Sequence, residues 1–228
     1  MNVFKNISKK LLRIFTHRAE IAPSKNEWKG SADYWNERYL KGGNSGAGSY
    51  NRLAEFKAEV LNDFVSKNHI QSIVEWGCGD GNQLSYANYP KYIGIDVSVE
   101  AINLCRKKFS SDANKGFYWS GASDFRYDKE GDLALSLDVI YHLIEDNVYE
   151  QYMKHLFASS THYVCIYSCN DEEKPTVPHV KHRCFSKWVE ENEKSWQLME
   201  VVKNRYPYDP SDADNTSWSD FYFYKKCE

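Results

Sequence analysis

The stretch Val74-Glu75-Trp76-Gly77-Cys78-Gly79-Asp80-Gly81 carries the strongest information about the fold of this 228-residue chain. A short apolar run ends in an acid, and three glycines follow at alternate positions, Gly77, Gly79 and Gly81. At the carboxyl end of a parallel strand, such a turn lets backbone amides approach a ligand because no Cβ stands in the way. The stretch therefore predicts a strand that runs into a ligand-binding loop.

Strand and helix signals alternate along the rest of the chain. Short β-rich runs occur at 73–76, 92–95, 117–119, 133–137, 163–167, 196–202 and 221–224. Amphipathic helical patterns occur at 31–39, 53–64, 99–109, 148–157 and 185–189, with Ser31 as the expected N-cap of the first. This alternation predicts an α/β fold with a mainly parallel sheet and helices on both faces.

The composition indicates a folded protein and excludes some partners. Hydrophobic residues make up 42% and charged residues 27%, and aromatic residues reach 15%, which suits ligand pockets. The net charge of −3 gives no basic surface for phosphate backbones, so we expect no nucleic-acid partner. The six cysteines are expected to be reduced thiols in the cytoplasm, with no metal site. No apolar run is long enough to span a bilayer.

A second acid, Asp96, ends the next predicted strand, where its carboxylate can accept hydrogen bonds from ribose hydroxyls. The glycine spacing also separates two classes of cofactor. A dinucleotide fingerprint needs a small residue three positions after its second glycine, but Asn82 or Leu84 stands there. Nicotinamide and flavin cofactors are therefore disfavoured. After the third strand, Asp124 is a candidate for the adenine amine and Phe125 for the adenine ring; a loop-capping acid is the alternative for Asp124.

Taken in order, the Glu75-to-Gly81 loop, Asp96, the Asp124 loop and the segment 138–143 resemble the class I S-adenosylmethionine-dependent methyltransferases. The resemblance covers roughly residues 50 to 170. It implies a Rossmann-like, seven-stranded, mainly parallel sheet with an antiparallel last strand, and S-adenosylmethionine as cofactor. The cofactor-binding residues that it implies, together with the residue analysis, are Glu75, Gly77, Gly79, Gly81, Asp96, Asp124, Phe125 and Asp138. One departure is Trp76, which is larger than expected beside the first glycine.

His142 is the candidate base because it follows the fourth strand at the rim where ligands bind in open α/β sheets. The alternative is a structural histidine at a helix start. The segment also resembles phosphobase N-methyltransferases, in which a histidine after this strand pairs with a tyrosine from an N-terminal loop. That resemblance implies Tyr39 or Tyr50, on either side of the glycine-rich segment 42–48, as the partner.

The predicted acceptor contacts are Tyr141, Asn170, His179, His182 and Arg183. Two histidines, a lysine and an arginine within 179–183 suit an anionic or hydroxylated acceptor, although a solvated polar loop is the alternative. The first hypothesis is therefore O-methylation of a sugar, a phosphosugar or a glycan terminus. The alternatives are N-methylation of a small amine or phosphobase, and a regulatory subunit that binds the cofactor without catalysis.

Three regions are predicted along the chain: a basic amphipathic helix at 1–22, a glycine-rich cap at 23–52 and a methyltransferase domain at 53–228. Residues 1–19 contain five Lys or Arg and no acid, which favours peripheral contact with the inner membrane surface by a cytoplasmic protein. The alternative is that this helix packs on its own domain or on a partner subunit. No feature of the sequence predicts the oligomeric state.

Overall fold

A computed structural model describes residues 28–227, so the helix predicted at 1–22 lies outside the described residues. The helices are α1 (Ser31–Leu40), α2 (Asn51–Lys67), α3 (Val99–Lys108), α4 (Asp146–Ala158) and α5 (Phe185–Asn192). The strands are β1 (Ser72–Trp76), β2 (Lys91–Asp96), β3 (Lys115–Trp119), β4 (Gly131–Leu137), β5 (Ser160–Ser168), β6 (Trp196–Val202) and β7 (Asp220–Lys226). Every strand predicted from the sequence is present. No helix among the described residues is long and apolar enough to cross a membrane.

Within residues 28–227 the strands form one seven-stranded sheet in the order β3-β2-β1-β4-β5-β7-β6. The first five strands of the chain pair in parallel, whereas β7 is antiparallel to both β5 and β6. The predicted Rossmann-like fold with an antiparallel last strand is confirmed. The strand order reverses between β1 and β4, and ligands of open α/β sheets bind in the crevice at the carboxyl ends of such strands.

Helices cover both faces of the sheet because neighbouring strand residues point to opposite sides. On one face, Ile73 and Leu133 pack in a buried cluster that includes residues of α2 and α3. On the other, Val74 and Ala134 pack with α4 and α5. Burial on both faces explains why these strands are continuously apolar and do not alternate with polar residues.

Two local features differ from the sequence prediction. Gly30, rather than Ser31, is the N-cap of α1, and Ser31 is the first helical residue. The reason is that the Ser31 hydroxyl donates a hydrogen bond to the Glu145 carboxylate at 2.7 Å and does not cap its own helix. Helix α2 begins at Asn51, two residues before the predicted start of the methyltransferase domain.

Candidate active site

The three glycines after β1 adopt the conformation that glycine alone enters readily. Gly77, Gly79 and Gly81 have φ angles of 81°, 57° and 71°. The loop is tied to β2, since the Gly77 amide donates to the Ile95 carbonyl at 2.7 Å. The Gly79 amide donates to Asp96 Oδ2 at 2.9 Å. The sequence-predicted loop and the sequence-predicted acid are therefore in direct contact.

Asp96 is buried, and its second carboxylate oxygen accepts a hydrogen bond from the Ser98 amide at 2.8 Å. Burial raises the pKa of Asp96 to about 6, although the hydrogen bonds from the Ser98 and Gly79 amides act in the opposite direction. Glu75 is also buried and accepts a hydrogen bond from Tyr92 at 2.6 Å. Burial raises the pKa of Glu75 to about 7. Both acids line the cavity described below.

The glycine-rich segment before α2 rests on the glycine loop, and we call residues 42–50 the lid. Asp80 Oδ2 accepts hydrogen bonds from the Ser45 amide at 3.0 Å and from the Tyr50 hydroxyl at 2.8 Å. The Asp80 amide donates back to Ser45 Oγ at 3.0 Å, and the Tyr39 hydroxyl lies 2.8 Å from the same Oγ. A Cβ on Gly79 would overlap with Ser45 Oγ. The lid and the glycine loop are therefore in close contact, with no space between them for an additional methyl group.

A cavity of about 520 Å³ opens at this edge of the sheet, which is a common size for a small-ligand site. Helix α1 runs along it, and Ser31, Trp35 and Tyr39 face it at intervals of four residues. Tyr39 lies at the glycine loop, Trp35 packs edge-on against His142 at 4.8 Å between ring centroids, and Ser31 contacts Glu145. At 1.5 Å per residue, successive positions among these three are about 6 Å apart.

His142 also lines this cavity. Its Nδ1 lies 3.0 Å from the His179 carbonyl oxygen. Because a carbonyl only accepts, Nδ1 carries the proton and Nε2 keeps its lone pair. Burial lowers the pKa of His142 to about 4, so the ring is neutral near pH 7. A neutral imidazole with a free Nε2 is the form that can accept a proton.

A buried ion pair lies behind the cavity wall. Lys57 of α2 is fully buried, and its Nζ lies 2.8 Å from Asp138 Oδ2. Asp138 follows β4 with a left-handed φ of 59°. Its other carboxylate oxygen accepts hydrogen bonds from Tyr141 at 3.0 Å and from Ser219 at 3.2 Å. The Asp138 carboxylate is thus engaged by the protein itself, although Asp138 lines the cavity.

Glu145 lines the far end of the cavity and fixes the start of α1. Its carboxylate accepts hydrogen bonds from the Trp28 indole at 3.0 Å, from the Ser31 amide at 3.0 Å and from the Ser31 hydroxyl. Burial alone would raise the pKa of Glu145, but hydrogen bonds from Ser31 and Trp28 outweigh it and hold the pKa below its usual value. Glu145 is therefore ionised near neutral pH.

Asp124 and Phe125 do not line the cavity. Asp124 is exposed and lies in the second of two successive turns, in which the Ala122 amide donates to the Trp119 carbonyl and the Phe125 amide to the Ala122 carbonyl. Phe125 packs edge-on against Tyr127 at 4.9 Å. The contact of Asp124 and Phe125 with adenine therefore remains a prediction, and the position of these two residues outside the cavity lining does not support it. Ser120 and Tyr127 line the cavity from the same loop.

Trp76, the unexpected residue beside the first glycine, belongs to the second face of the sheet. Its indole nitrogen donates to Ser159 Oγ at 2.8 Å. Its ring lies parallel to those of Tyr127 and His155, at 5.9 and 5.7 Å. All three rings line the cavity and give it an aromatic wall. The large side chain is accommodated because it packs against the Tyr127 and His155 rings on that face of the sheet.

The five predicted acceptor residues do not line the cavity. Arg183 is paired with Asp146 at 2.9 Å and donates to the Leu143 carbonyl at 2.6 Å. The Asn170 amide nitrogen donates to Ser186, and the Tyr141 hydroxyl donates to Asp138. His182 is buried between the rings of Tyr141 and Trp218, and His179 stacks on Tyr34. Each of these residues already has a contact within the fold.

Gly81 and Tyr50 also lie outside the cavity lining. Gly81 packs against Phe109 and Cys105, and Tyr50 is bonded to Asp80. Of the two predicted tyrosine partners, Tyr39 is therefore the one that lines the cavity with His142.

Sequence reasoning missed four residues that build the site: Trp35, Lys57, Asp80 and Glu145. Lys57 had a signal, because it shares the apolar face of α2 with Leu53 and Leu61. A lysine at such a position needs a buried partner. No comparable signal marks Glu145, whose contact with Ser31 joins residues 114 positions apart. Within residues 28–227, no group of three or more His, Cys, Asp or Glu side chains is arranged to hold a metal.

The fold and site together define an open α/β protein with a ligand cavity at the carboxyl edge of β1, β2 and β4. No protein-family model matches the chain, and no curated protein matches it. Solved structures do match. The N-methyltransferase NodS from Bradyrhizobium japonicum WM9, in complex with S-adenosylhomocysteine, has a TM-score of 0.69 at 15% identity, over 88% of this chain and 100% of NodS.

Two further structures share the fold. Magnesium protoporphyrin IX methyltransferase from Synechocystis PCC 6803, with bound S-adenosylmethionine, has a TM-score of 0.62 at 11% identity, over 89% of this chain and 100% of that chain. An S-adenosylmethionine-dependent methyltransferase from Clostridium acetobutylicum ATCC 824 has a TM-score of 0.56 at 10% identity, over 86% and 98% of the two chains. The chain therefore has the fold of class I S-adenosylmethionine-dependent methyltransferases.

Proposed function

We propose that this chain is an S-adenosylmethionine-dependent methyltransferase that acts on a small polar acceptor. The observation that carries the proposal is the contact between the glycine loop and Asp96, both of which line the cavity. A Cβ on Gly77 would overlap with Val139, and one on Gly79 would meet Ser45, so only glycines leave this cradle open. The methyltransferases of the same fold, two of them solved with S-adenosylmethionine or S-adenosylhomocysteine, support the cofactor.

When bound, the cofactor supplies a methyl group activated by its sulfonium. The glycine loop and Asp96 would hold the cofactor, and the lid and α1 would exclude water from the cavity. His142 orients the nucleophilic atom of the acceptor and accepts its proton at Nε2, while the His179 carbonyl fixes the tautomer. Tyr39 lines the same cavity, and burial raises the pKa of its hydroxyl, so Tyr39 acts as a neutral hydrogen-bonding group.

The acceptor of the first hypothesis is a hydroxyl of a sugar, phosphosugar or glycan terminus. The cavity favours a second candidate, an acceptor that carries a positively charged amine. Among the described residues that line the cavity, Glu75, Asp96, Asp138 and Glu145 are carboxylic acids, and Lys29 is the one lysine or arginine; Asp138 is already paired with Lys57. The Lys29 side chain is 60% exposed and lies 3.9 Å from Glu37. Among the described residues, Lys181 and Arg183, the cations that suggested a phosphosugar, are both paired with Asp146.

The acceptor class is tested with three matched probes on the full-length chain saturated with S-adenosylhomocysteine. Saturation-transfer NMR is recorded with glucosamine, glucose and glucose 6-phosphate, which differ chiefly in charge. We expect a signal for glucosamine that weakens several-fold in Glu145→Gln and persists in Ser31→Ala, which removes a hydrogen bond to Glu145 but no charge. Stronger binding of glucose 6-phosphate than of glucosamine would instead support a phosphosugar acceptor. Binding of glucose as strong as that of glucosamine would support an uncharged acceptor.

The methyltransferase function itself is tested by calorimetric titration of the full-length chain with S-adenosylmethionine and S-adenosylhomocysteine. Methyl transfer to the same panel of acceptors is then followed by mass spectrometry. Stoichiometric binding with turnover supports the proposal. Binding without turnover on a broad panel would favour the regulatory subunit, and a lack of binding by either nucleoside would refute the proposal.

We further propose that the basic segment 1–19 attaches the protein to anionic membranes. Its five Lys or Arg and its apolar residues at helical spacing support this, and the segment lies outside the described residues. We expect the full-length chain to sediment with acidic vesicles, and residues 20–228 to remain in the supernatant. Equal sedimentation of the two proteins would contradict this proposal without affecting the catalytic one.

A further inference from the structure

The buried Lys57–Asp138 pair has no role in the reaction proposed above, yet it lies where three parts of the site meet. An ammonium buried without a partner costs several kcal/mol, so this lysine is tolerated only because Asp138 neutralises it. Its Nζ also lies 5.2 Å from the centre of the Tyr167 ring on β5. The pair therefore fixes α2 to the carboxyl ends of β4 and β5.

The lid rests on the same carboxylate. A Cβ on Gly48 would lie 2.7 Å from Asp138 Oδ2, the oxygen that Lys57 binds. Next to Gly48, the Ser49 carbonyl accepts a hydrogen bond from the Asn82 side chain at 2.8 Å, which joins the lid to the glycine loop. A shift of the Asp138 carboxylate would therefore either produce a steric clash with the lid or leave an unfilled space beneath the lid.

The base is tied to the other oxygen of the carboxylate. Tyr141 donates to Asp138 Oδ1, and Tyr141 and His142 belong to one short 3₁₀ turn, Ile140–His142. The turn is held at its start by Asp138, whose left-handed φ is uncommon for a residue with a side chain. The direction of the carboxylate thus sets where this turn places His142.

We propose that Lys57 is a positioning residue, which fixes the Asp138 carboxylate and thereby holds the lid and the His142 turn in one arrangement over the cavity. Lys57 does not line the cavity, so it acts through Asp138 and Tyr141 and not on a ligand directly. The importance of this arrangement for methyl transfer rests on the proposed function. The arrangement itself is measurable without any acceptor.

The test compares the full-length wild type with Lys57→Met, Asp138→Asn and the double variant. Lys57→Met leaves a buried carboxylate unpaired, and we expect its melting temperature to fall by roughly 10 °C. The double variant has no unpaired buried charge, so it should melt close to the wild type. Lys67→Met is the matched control, because this lysine is on the same helix but 72% exposed in a surface pair with Asp63.

Hydrogen exchange and NMR then separate positioning from simple stability. In the double variant we expect amide exchange in 45–50 and 139–143 to be about tenfold faster than in the wild type. The pKa of His142, followed at its Cε1 proton, should rise from about 4 towards the ordinary histidine range as the cavity opens. The affinity for S-adenosylhomocysteine should fall by about tenfold. Lys67→Met should leave all three quantities unchanged.

Wild-type exchange and a wild-type His142 signal in a well-folded double variant would overturn the proposal and make the pair a core contact only. If the double variant does not fold, Tyr141→Phe replaces it, because this variant removes one hydrogen bond to Asp138 and no charge. It should move the His142 signal and leave the lid unchanged; an unmoved His142 signal would also overturn the proposal. Failure of the wild type to bind S-adenosylhomocysteine would refute the methyltransferase function, not the positioning of His142.

Discussion

The two ends of the cavity are built in different ways. The glycine-loop end consists of backbone amides and the two acids Glu75 and Asp96, supplied by the end of β1, the loop after it and the tip of β2. The other end consists of side chains, and it exists only because Ser31 and Trp35 of α1 meet Glu145 and His142. The first end is a property of local sequence, whereas the second is a property of packing. Variants should therefore affect cofactor affinity at one end and turnover at the other.

The largest expected effect is at the packed end. His142→Gln removes the proton acceptor, so we expect turnover to fall by about 10²- to 10⁴-fold, with little change in melting temperature or in affinity for S-adenosylhomocysteine. Steady-state rates, thermal melting and calorimetry on one preparation measure all three. A variant that melts early yet turns over normally in the cold would show that His142 is structural, and would remove the functional difference between the two ends.

Substitution of Gly79 should lower the ligand affinity of the glycine-loop end of the cavity. In Gly79→Ala the new methyl would collide with Ser45 Oγ, so lid and loop cannot both keep their places. We expect the affinity for S-adenosylhomocysteine to fall by about a hundredfold. Gly42→Ala is the matched control, because its φ of 78° carries similar strain but nothing lies within 4 Å of the added Cβ. Equal losses in both variants would show that backbone strain, and not lid contact, governs binding.

A smaller effect is expected for Asp96→Asn, which keeps the shape of the side chain but removes its charge. Hydrogen bonds to a charged group are worth about 1.5 to 3 kcal/mol and neutral ones about 1, so affinity for S-adenosylhomocysteine should fall about tenfold. Calorimetry gives the value directly. Because burial raises the pKa of Asp96 to about 6, wild-type affinity should also weaken as the pH falls through 6, and the Asp96→Asn variant should lack this dependence.

The last expected effect concerns the pH dependence of the base. Burial lowers the pKa of His142 to about 4, so the active neutral form predominates above that pH. An ordinary histidine would lose the neutral form below about 6.5. We therefore expect the NMR signal of His142 to stay constant from about pH 8 to about 5 and to titrate only below. Titration near the ordinary histidine pKa would mean that this end of the cavity is open to water.

The same contrast explains which predictions from sequence succeeded. The strands and the contact of the glycine loop with Asp96 could be predicted, because hydrophobic runs and a glycine turn act locally. The acceptor role predicted for Arg183 is not supported, since the sequence shows a cation but not its partner, Asp146, 37 residues earlier. The family resemblance places Asp124 at the cavity, whereas Ser120 and Tyr127 are the residues of this loop that line it. Contacts between segments far apart in the sequence decide which side chains reach the cavity, and a single sequence does not show these contacts.

Helix α1 touches both ends of the cavity, and this has a thermodynamic consequence. A ligand that tightens the contact of Tyr39 with the glycine loop also steadies Trp35 and Ser31, which lie about one and two turns away on the same helix. Affinity at one end then depends on occupancy of the other, and such coupling is reciprocal by linkage. If the cofactor increases the affinity for the acceptor by some factor, the acceptor increases the affinity for the cofactor by the same factor. The two products would then also bind tightly together and dissociate slowly, and product release would limit turnover.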